Sequence, residues 1–253
     1  MFNLFGLTPQ AQSIVQAAAD VYIQHTRPWF IGLIAHGSAV KGGFIPGCSD
    51  IDLQLYLEDA AFAASRQLPV ELGLAIQRDL AKIDPAPFRY IQCYAYPRLL
   101  PEGYVGPIPG AYTVVTGELP VAEATAQDLQ DAAEVALVKL NPAPAYITTG
   151  LLEHGGGRLA QDVRWLCTDV WPTLYHVLTI QENDPIRVWG LPKEKAIELL
   201  PPGTMPGRAI RVFYQAVQSY YPDEASVEQA LGVVESGVDF MRAVKLWWDE
   251  SHH

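Results

Sequence analysis

The sequence predicts an α+β chain, with a mixed β-sheet flanked by helices in its first half and an all-α helical bundle in its second. Three observations predict it. Short apolar or alternating runs of strand length are interleaved with helical stretches as far as residue 117; from Thr125 onward apolar residues recur at helical spacing; and Pro120 stands where one pattern gives way to the other. The boundary falls near Glu123, so residues 1–123 form the first domain and 124–253 the second.

Thr8 and Pro9 supply an N-cap and a first-turn proline for an amphipathic helix running through Ile23. Residues 29–35 are continuously apolar and bounded by Pro28 and by His36-Gly37-Ser38, which suits a buried strand. Residues 39–49 are long enough for a short helix and a return loop that sets the next strand beside the first. That strand, 49–57, alternates strictly, so Asp50 and Asp52 take one face and Ile51, Leu53 and Leu55 the other. A second helix spans 69–83 and stops at Asp84-Pro85-Ala86-Pro87, and an aromatic and branched strand follows over 88–96. Pro97, Pro101, Pro107 and Pro109 make 97–109 a loop, after which 111–117 return as a strand. The second half gives helices over 128–139, 144–153, 158–179 with Pro172 inside, 192–200, 208–220 and 225–248.

Gly37-Ser38 at the end of a strand leaves backbone N–H groups clear of side-chain bulk and adds a hydroxyl, an arrangement suited to an anion, phosphate first. Asp50 and Asp52 share one edge, where they repel unless a hard divalent cation takes oxygen from both; magnesium is favoured when substrate phosphates complete its shell. Taken singly, the turn and the aspartates read as ordinary surface features. Together they bring a phosphate site and a metal site to one point.

The stretch 31–57, IGLIAHGSAVKGGFIPGCSDIDLQLYL, carries a further signal. Gly-Ser, a loop of this length, then Asp-hydrophobic-Asp-hydrophobic resembles the motif of the nucleotidyltransferase superfamily related to DNA polymerase β. The fuller run GSAVKGGFIPGCSDIDL is most similar to aminoglycoside O-adenylyltransferases of the streptomycin and spectinomycin type, with a slightly longer loop before Ser49. The resemblance implies a nucleotidyltransferase domain, a helical bundle with substrate and nucleotide contacts, and an active cleft between them. It implies magnesium-dependent transfer of AMP from ATP to a hydroxyl of a small molecule such as an aminoglycoside. Gly37, Ser38 and Ser49 would then contact the nucleotide, while Asp50 and Asp52 would hold the metal and carry catalysis.

Residues 188–201, VWGLPKEKAIELLP, resemble the same enzymes, and by that match Lys193, or failing it Lys195, reaches the nucleotide phosphates. Asp162, Trp165 and Asp169 fall at i, i+3 and i+7, on one helix face. In the resembling enzymes acids and a tryptophan near here contact the drug, so these three are the implied acceptor contacts; the plain alternative is packing for the tryptophan and solvation for the acids.

The pattern breaks on the strand 88–96. The superfamily places a third carboxylate there, a glutamate thought to deprotonate the acceptor hydroxyl, but this strand opens FRYIQCY, with Arg89 or Gln92 where the acid falls. Neither side chain is a base. Asp84, Glu102, Glu118 or Asp52 itself remain candidates, as does another mode of acceptor activation. The other alternative is a module that has lost transfer and binds nucleotide or a protein partner instead.

A net charge of −11 with scattered Lys and Arg is a poor match for nucleic acid and favours a cationic small molecule. No apolar run reaches the roughly 18 residues of a membrane span, and Met1 to Gly6 lacks the features of a signal peptide. Cys48, Cys93 and Cys167 have no metal-type spacing, so a cytoplasmic location with reduced thiols is expected. Ser251-His252-His253 resembles a purification remnant and is set aside from any metal argument.

Overall fold

The computed structural model describes residues 2–221, 223 and 226–252. They fall into two compact units, Met1–Ala124 and Thr125–His253.

In the first unit α1 (Pro9–Thr26) opens on Pro9 with Thr8 as its extended N-cap. It is followed by β1 (Phe30–His36), a single helical turn α2 (Ser38–Lys41), β2 (Ile51–Leu57), α3 (Val70–Leu80), β3 (Ile91–Tyr96) and β4 (Tyr112–Gly117). The strands form one sheet in the order β3-β2-β1-β4. β1 runs antiparallel to β2 and β4, while β2 and β3 are parallel, so the sheet is mixed. The parallel pair needs a crossover, and α3 supplies it.

Period-two alternation decides which face is buried. Leu33 and Ala35 of β1 and Ile51, Leu53, Leu55 and Leu57 of β2 are almost fully buried against Ala11, Val15, Ala18 and Tyr22 of α1 and Ile76 and Leu80 of α3. This core fixes the register, because a slip of one residue would turn the leucines of β2 to the opposite face. Truncating Leu53 to alanine would cost about 2–5 kcal/mol. The opposite face of β2 carries Asp52, Gln54 and Tyr56.

The second unit is helical: α4 (Ala126–Val138), α5 (Ala145–Thr148), α6 (Gly150–His154), α7 (Leu159–Gln181), α8 (Pro185–Gly190), α9 (Lys193–Leu199), α10 (Met205–Tyr220) and α11 (Val227–His252). A capping box starts α4, where Thr125 Oγ1 accepts from Asp128 N–H at 3.2 Å and the Asp128 carboxylate accepts from Thr125 N–H at 2.8 Å. α7 is the central helix, packed on α4, α8, α9 and α11, and it continues through Pro172. No described helix is long and apolar enough to cross a membrane.

Several boundaries differ from those the sequence predicts. The single helix expected over 144–153 is two short ones, broken at Thr149 and followed by a 3-10 turn over Gly155–Arg158, where the glycine run lowers helical propensity. β3 begins at Ile91 because 88–90 make the turn that enters it. α8 is an unexpected element, started by Pro185 and capped by Asp184, whose carboxylate accepts from Arg187 N–H at 3.0 Å. α10 starts at Met205, three residues early, under a Thr204 cap. Ala225, the expected start of the last helix, and the terminal His253 lie outside the described residues.

Candidate active site

Asp50 stands immediately before β2 and Asp52 on it, both half-buried. Antiparallel pairing sets His36 opposite Asp52, and the chain leaves His36 directly into the Gly37-Ser38 turn, so the turn and the acids meet at one end of the sheet. Gly37 has φ +67°, in the left-handed region that favours glycine, and a Cβ there would overlap Asp52 Oδ2. Ser38 is buried with its hydroxyl 3.5 Å from the Asp50 carbonyl oxygen. The turn therefore abuts both acids.

On the other side of β2 the parallel register sets Gln92 level with Asp52. Donors and acceptors around its amide orient it so that the nitrogen donates to Asp50 Oδ2 at 3.1 Å and Asp52 Oδ1 at 3.2 Å, while its oxygen accepts from the Tyr94 hydroxyl at 2.7 Å. The two carboxylates thus converge on one nitrogen. Of the two residues the sequence offers for the missing acid, Gln92 holds the position. Arg89 is exposed in the turn before β3, with its N–H donating to Ser49 O at 2.8 Å.

Ser49 is brought next to the pair, but its buried hydroxyl accepts from Ile45 N–H at 2.9 Å and closes the loop that leads into β2. Asp84 caps Ala86 N–H at 3.0 Å ahead of β3, and Glu102 lies exposed in the proline-rich loop. Glu118 follows Gly117, which pairs with Gly32 at the far end of β1, about 13 Å of strand from His36.

The same face carries groups that sequence reasoning missed. Burial first, and the Lys41 ammonium second, lower the His36 pKa to about 4 against the opposing pull of Asp50, so the imidazole is neutral at neutral pH. Gln54 Oε1 accepts from the Tyr56 hydroxyl at 2.7 Å and the Tyr104 hydroxyl at 2.9 Å, and Tyr96 packs edge-on to Tyr104 with ring centroids 5.0 Å apart. Burial raises the Tyr56 phenol well above its ordinary range, which keeps this aromatic wall uncharged. The legible signal was that the alternation of Asp50 and Asp52 continues through Gln54 and Tyr56.

In the second unit Lys193 opens α9 with its ammonium 5.7 Å from the Trp171 ring centroid, while Lys195 pairs with Glu198 at 2.9 Å. Asp162, Trp165 and Asp169 lie on α7. Tyr146 connects two of them, meeting Trp165 edge-on at 5.5 Å and donating its hydroxyl to Asp169 Oδ2. Asp162 is 2% exposed, and its Oδ2 has no hydrogen-bond partner. Burial raises its pKa against the lowering pull of Arg158 and His154. His176, on the same helix, has a buried Nδ1 without a partner, and burial lowers its pKa to about 4.

Among the described residues no group of three or more His, Cys, Asp or Glu is placed to hold a metal ion. A metal ion here would take its protein ligands from the Asp50–Asp52 pair. Two converging hard carboxylates fit magnesium, which is commonly bound by one or two carboxylates together with substrate phosphates and water.

No protein-family model and no curated protein matches the chain. Among solved structures, it is similar to the spectinomycin adenyltransferase AAD(9) from Enterococcus faecialis, solved with ATP and spectinomycin. The TM-score is 0.51 at 14% sequence identity, covering 92% of this chain and 98% of that one. The likeness is one of fold and extends over almost the whole of both chains.

Proposed function

We propose that this protein is a nucleotidyltransferase that moves AMP from ATP to a hydroxyl of a small molecule such as an aminoglycoside. The observation that carries the reading is the convergence of Asp50 and Asp52 beside a glycine-serine turn in which Gly37 leaves room for Asp52. A neighbour of the same fold that was solved with ATP and spectinomycin supports both classes of ligand.

In this reading Gly37 and Ser38 receive the phosphates and the Asp50–Asp52 pair holds magnesium, which supplies charge neutralisation at the transferring phosphoryl group. The acceptor oxygen attacks the α-phosphorus; a new P–O bond forms as the bond to the oxygen bridging the α- and β-phosphorus breaks, and pyrophosphate departs. Lys193 is assigned to the phosphates, and Asp162, Trp165 and Asp169 to an acceptor bearing ammonium groups. Ser49 supports the loop that presents Asp50. The acceptor proton goes to a base that is not Gln92, because a carboxamide does not accept a proton at neutral pH.

Gln92 opposite Asp52 also favours a second reading, a module that binds nucleotide without transferring it. Calorimetry with magnesium and a nonhydrolysable ATP analogue, run beside a turnover assay with ATP and a panel of aminoglycosides, decides between them. Binding with turnover supports transfer, and binding without turnover on any acceptor supports the module. Neither binding nor turnover refutes both.

A further inference from the structure

The carboxamide of Gln92 has the same outline either way round, yet only one orientation suits its place. With its oxygen toward Asp50 and Asp52 it would face two acceptors; with its nitrogen there, two protons meet two carboxylates at 3.1 and 3.2 Å. The two acceptor-only carboxylates select the second orientation, and the Tyr94 hydroxyl, 2.7 Å from the other amide atom and able to donate or accept, then donates to the amide oxygen and holds it there. Alternation along β3 puts Gln92 and Tyr94 on the same face, and the parallel register sets them level with Asp52 and Gln54. Tyr94 is 52% exposed, so its hydroxyl is no part of the core.

A neutral donor at this point has a particular consequence. It holds two like charges at a fixed spacing without cancelling the charge that a cation needs, whereas a lysine would compete with the cation and a carboxylate would add to the repulsion. The amide nitrogen turns its protons on the acids and has no lone pair to offer a cation, which keeps it out of a metal's inner shell. Asp52 Oδ2 meanwhile faces the Gly37 turn.

We propose that Tyr94 and Gln92 form a two-residue relay that positions the Asp50–Asp52 pair for a divalent cation. Tyr94 holds the amide, and the amide fixes the acids; both are positioning residues. The inference rests on the metal role given above to the two aspartates.

The test titrates Mn²⁺ alone into the full chain without nucleotide, read by the electron paramagnetic resonance of free Mn²⁺, with Tm measured on the metal-free protein. Gln92→Ala is expected to raise the Kd about tenfold, as loss of an outer-shell partner does. Tyr94→Phe keeps the ring and the amide and is expected to raise it about threefold, the worth of one neutral hydrogen bond. Gln92→Glu is expected to tighten Mn²⁺ binding while lowering the metal-free Tm, because three carboxylates then converge without a cation. An unchanged Kd in both Gln92→Ala and Tyr94→Phe overturns the relay, and so does a lower Tm with no change in Kd. Asp52→Ala separates this from the reading beneath it: Mn²⁺ bound as tightly as by the wild type removes the metal role itself, whereas loss in Asp52→Ala with retention in Gln92→Ala removes only the relay.

Discussion

Gly37 and Asp52 face each other so closely that only a glycine fits between the end of β1 and the carboxylate, and the same glycine has a positive φ. Gly37→Ala is therefore expected to strain the backbone and to push Asp52 away from Asp50 together. A destabilisation of about 1–3 kcal/mol in urea unfolding is expected. Calorimetry should also show weaker binding of magnesium with an ATP analogue, by more than the loss of folded protein accounts for.

Asp162 is a buried carboxylate with an unpartnered oxygen and a raised pKa, a combination that costs stability in the ionised form. Asp162→Asn, which imitates the neutral acid, should raise Tm at pH 7 by the equivalent of about 1 kcal/mol. The gain should shrink as pH falls through the folded pKa, where the wild-type acid becomes neutral as well. If Asp162 contacts a cationic acceptor, the same variant raises KM for that acceptor while leaving KM for ATP unchanged.

His36 and His176 both have pKa values lowered to about 4 from an ordinary 6.5, with burial the largest cause in each. The unfolded chain binds more protons than the folded one between these values. The stability the neutral imidazoles contribute is complete above about pH 6.5 and is lost as pH falls toward about 4, by up to about 3 kcal/mol for each histidine. Urea midpoints measured from pH 7 to pH 4.5 should fall, and His176→Gln should flatten that fall without altering nucleotide binding.

Lys193 rests over Trp171 and opens α9. Lys193→Met keeps an unbranched apolar stem against the indole and removes the charge. If the ammonium meets the phosphates, KM for ATP rises about tenfold, the worth of one charge-assisted hydrogen bond, with Tm almost unchanged; an unaltered KM removes Lys193 from the site.

The half of the site on β1 and β2 was legible because period two is rigid: once Ile51, Leu53 and Leu55 face the core, Asp50 and Asp52 must share the opposite face. The fold class was legible for a similar reason, the change from alternation to helical spacing near Pro120. What lay across β3 was not. Parallel pairing sets its offset through a crossover helix and a turn, and no sequence period says whether Arg89 or Gln92 comes level with Asp52. Nor does any period show that the hydroxyls of Tyr56 and Tyr104, which are 48 residues apart, meet at Gln54. In the second unit periodicity alone does not show the short helix that begins at Pro185, and the Thr204 cap with Pro206 starts α10 ahead of its periodic run.

The most direct test of nucleotidyl transfer is pyrophosphate release from magnesium and ATP in the presence of a panel of aminoglycosides, compared among the wild type, Asp50→Ala and Asp52→Ala. Acceptor-dependent release by the wild type, with both variants reduced to background while still folded by circular dichroism, is the predicted result. Release that survives in both variants contradicts the assignment of the site, and a wild type that releases none with any acceptor contradicts the transfer itself.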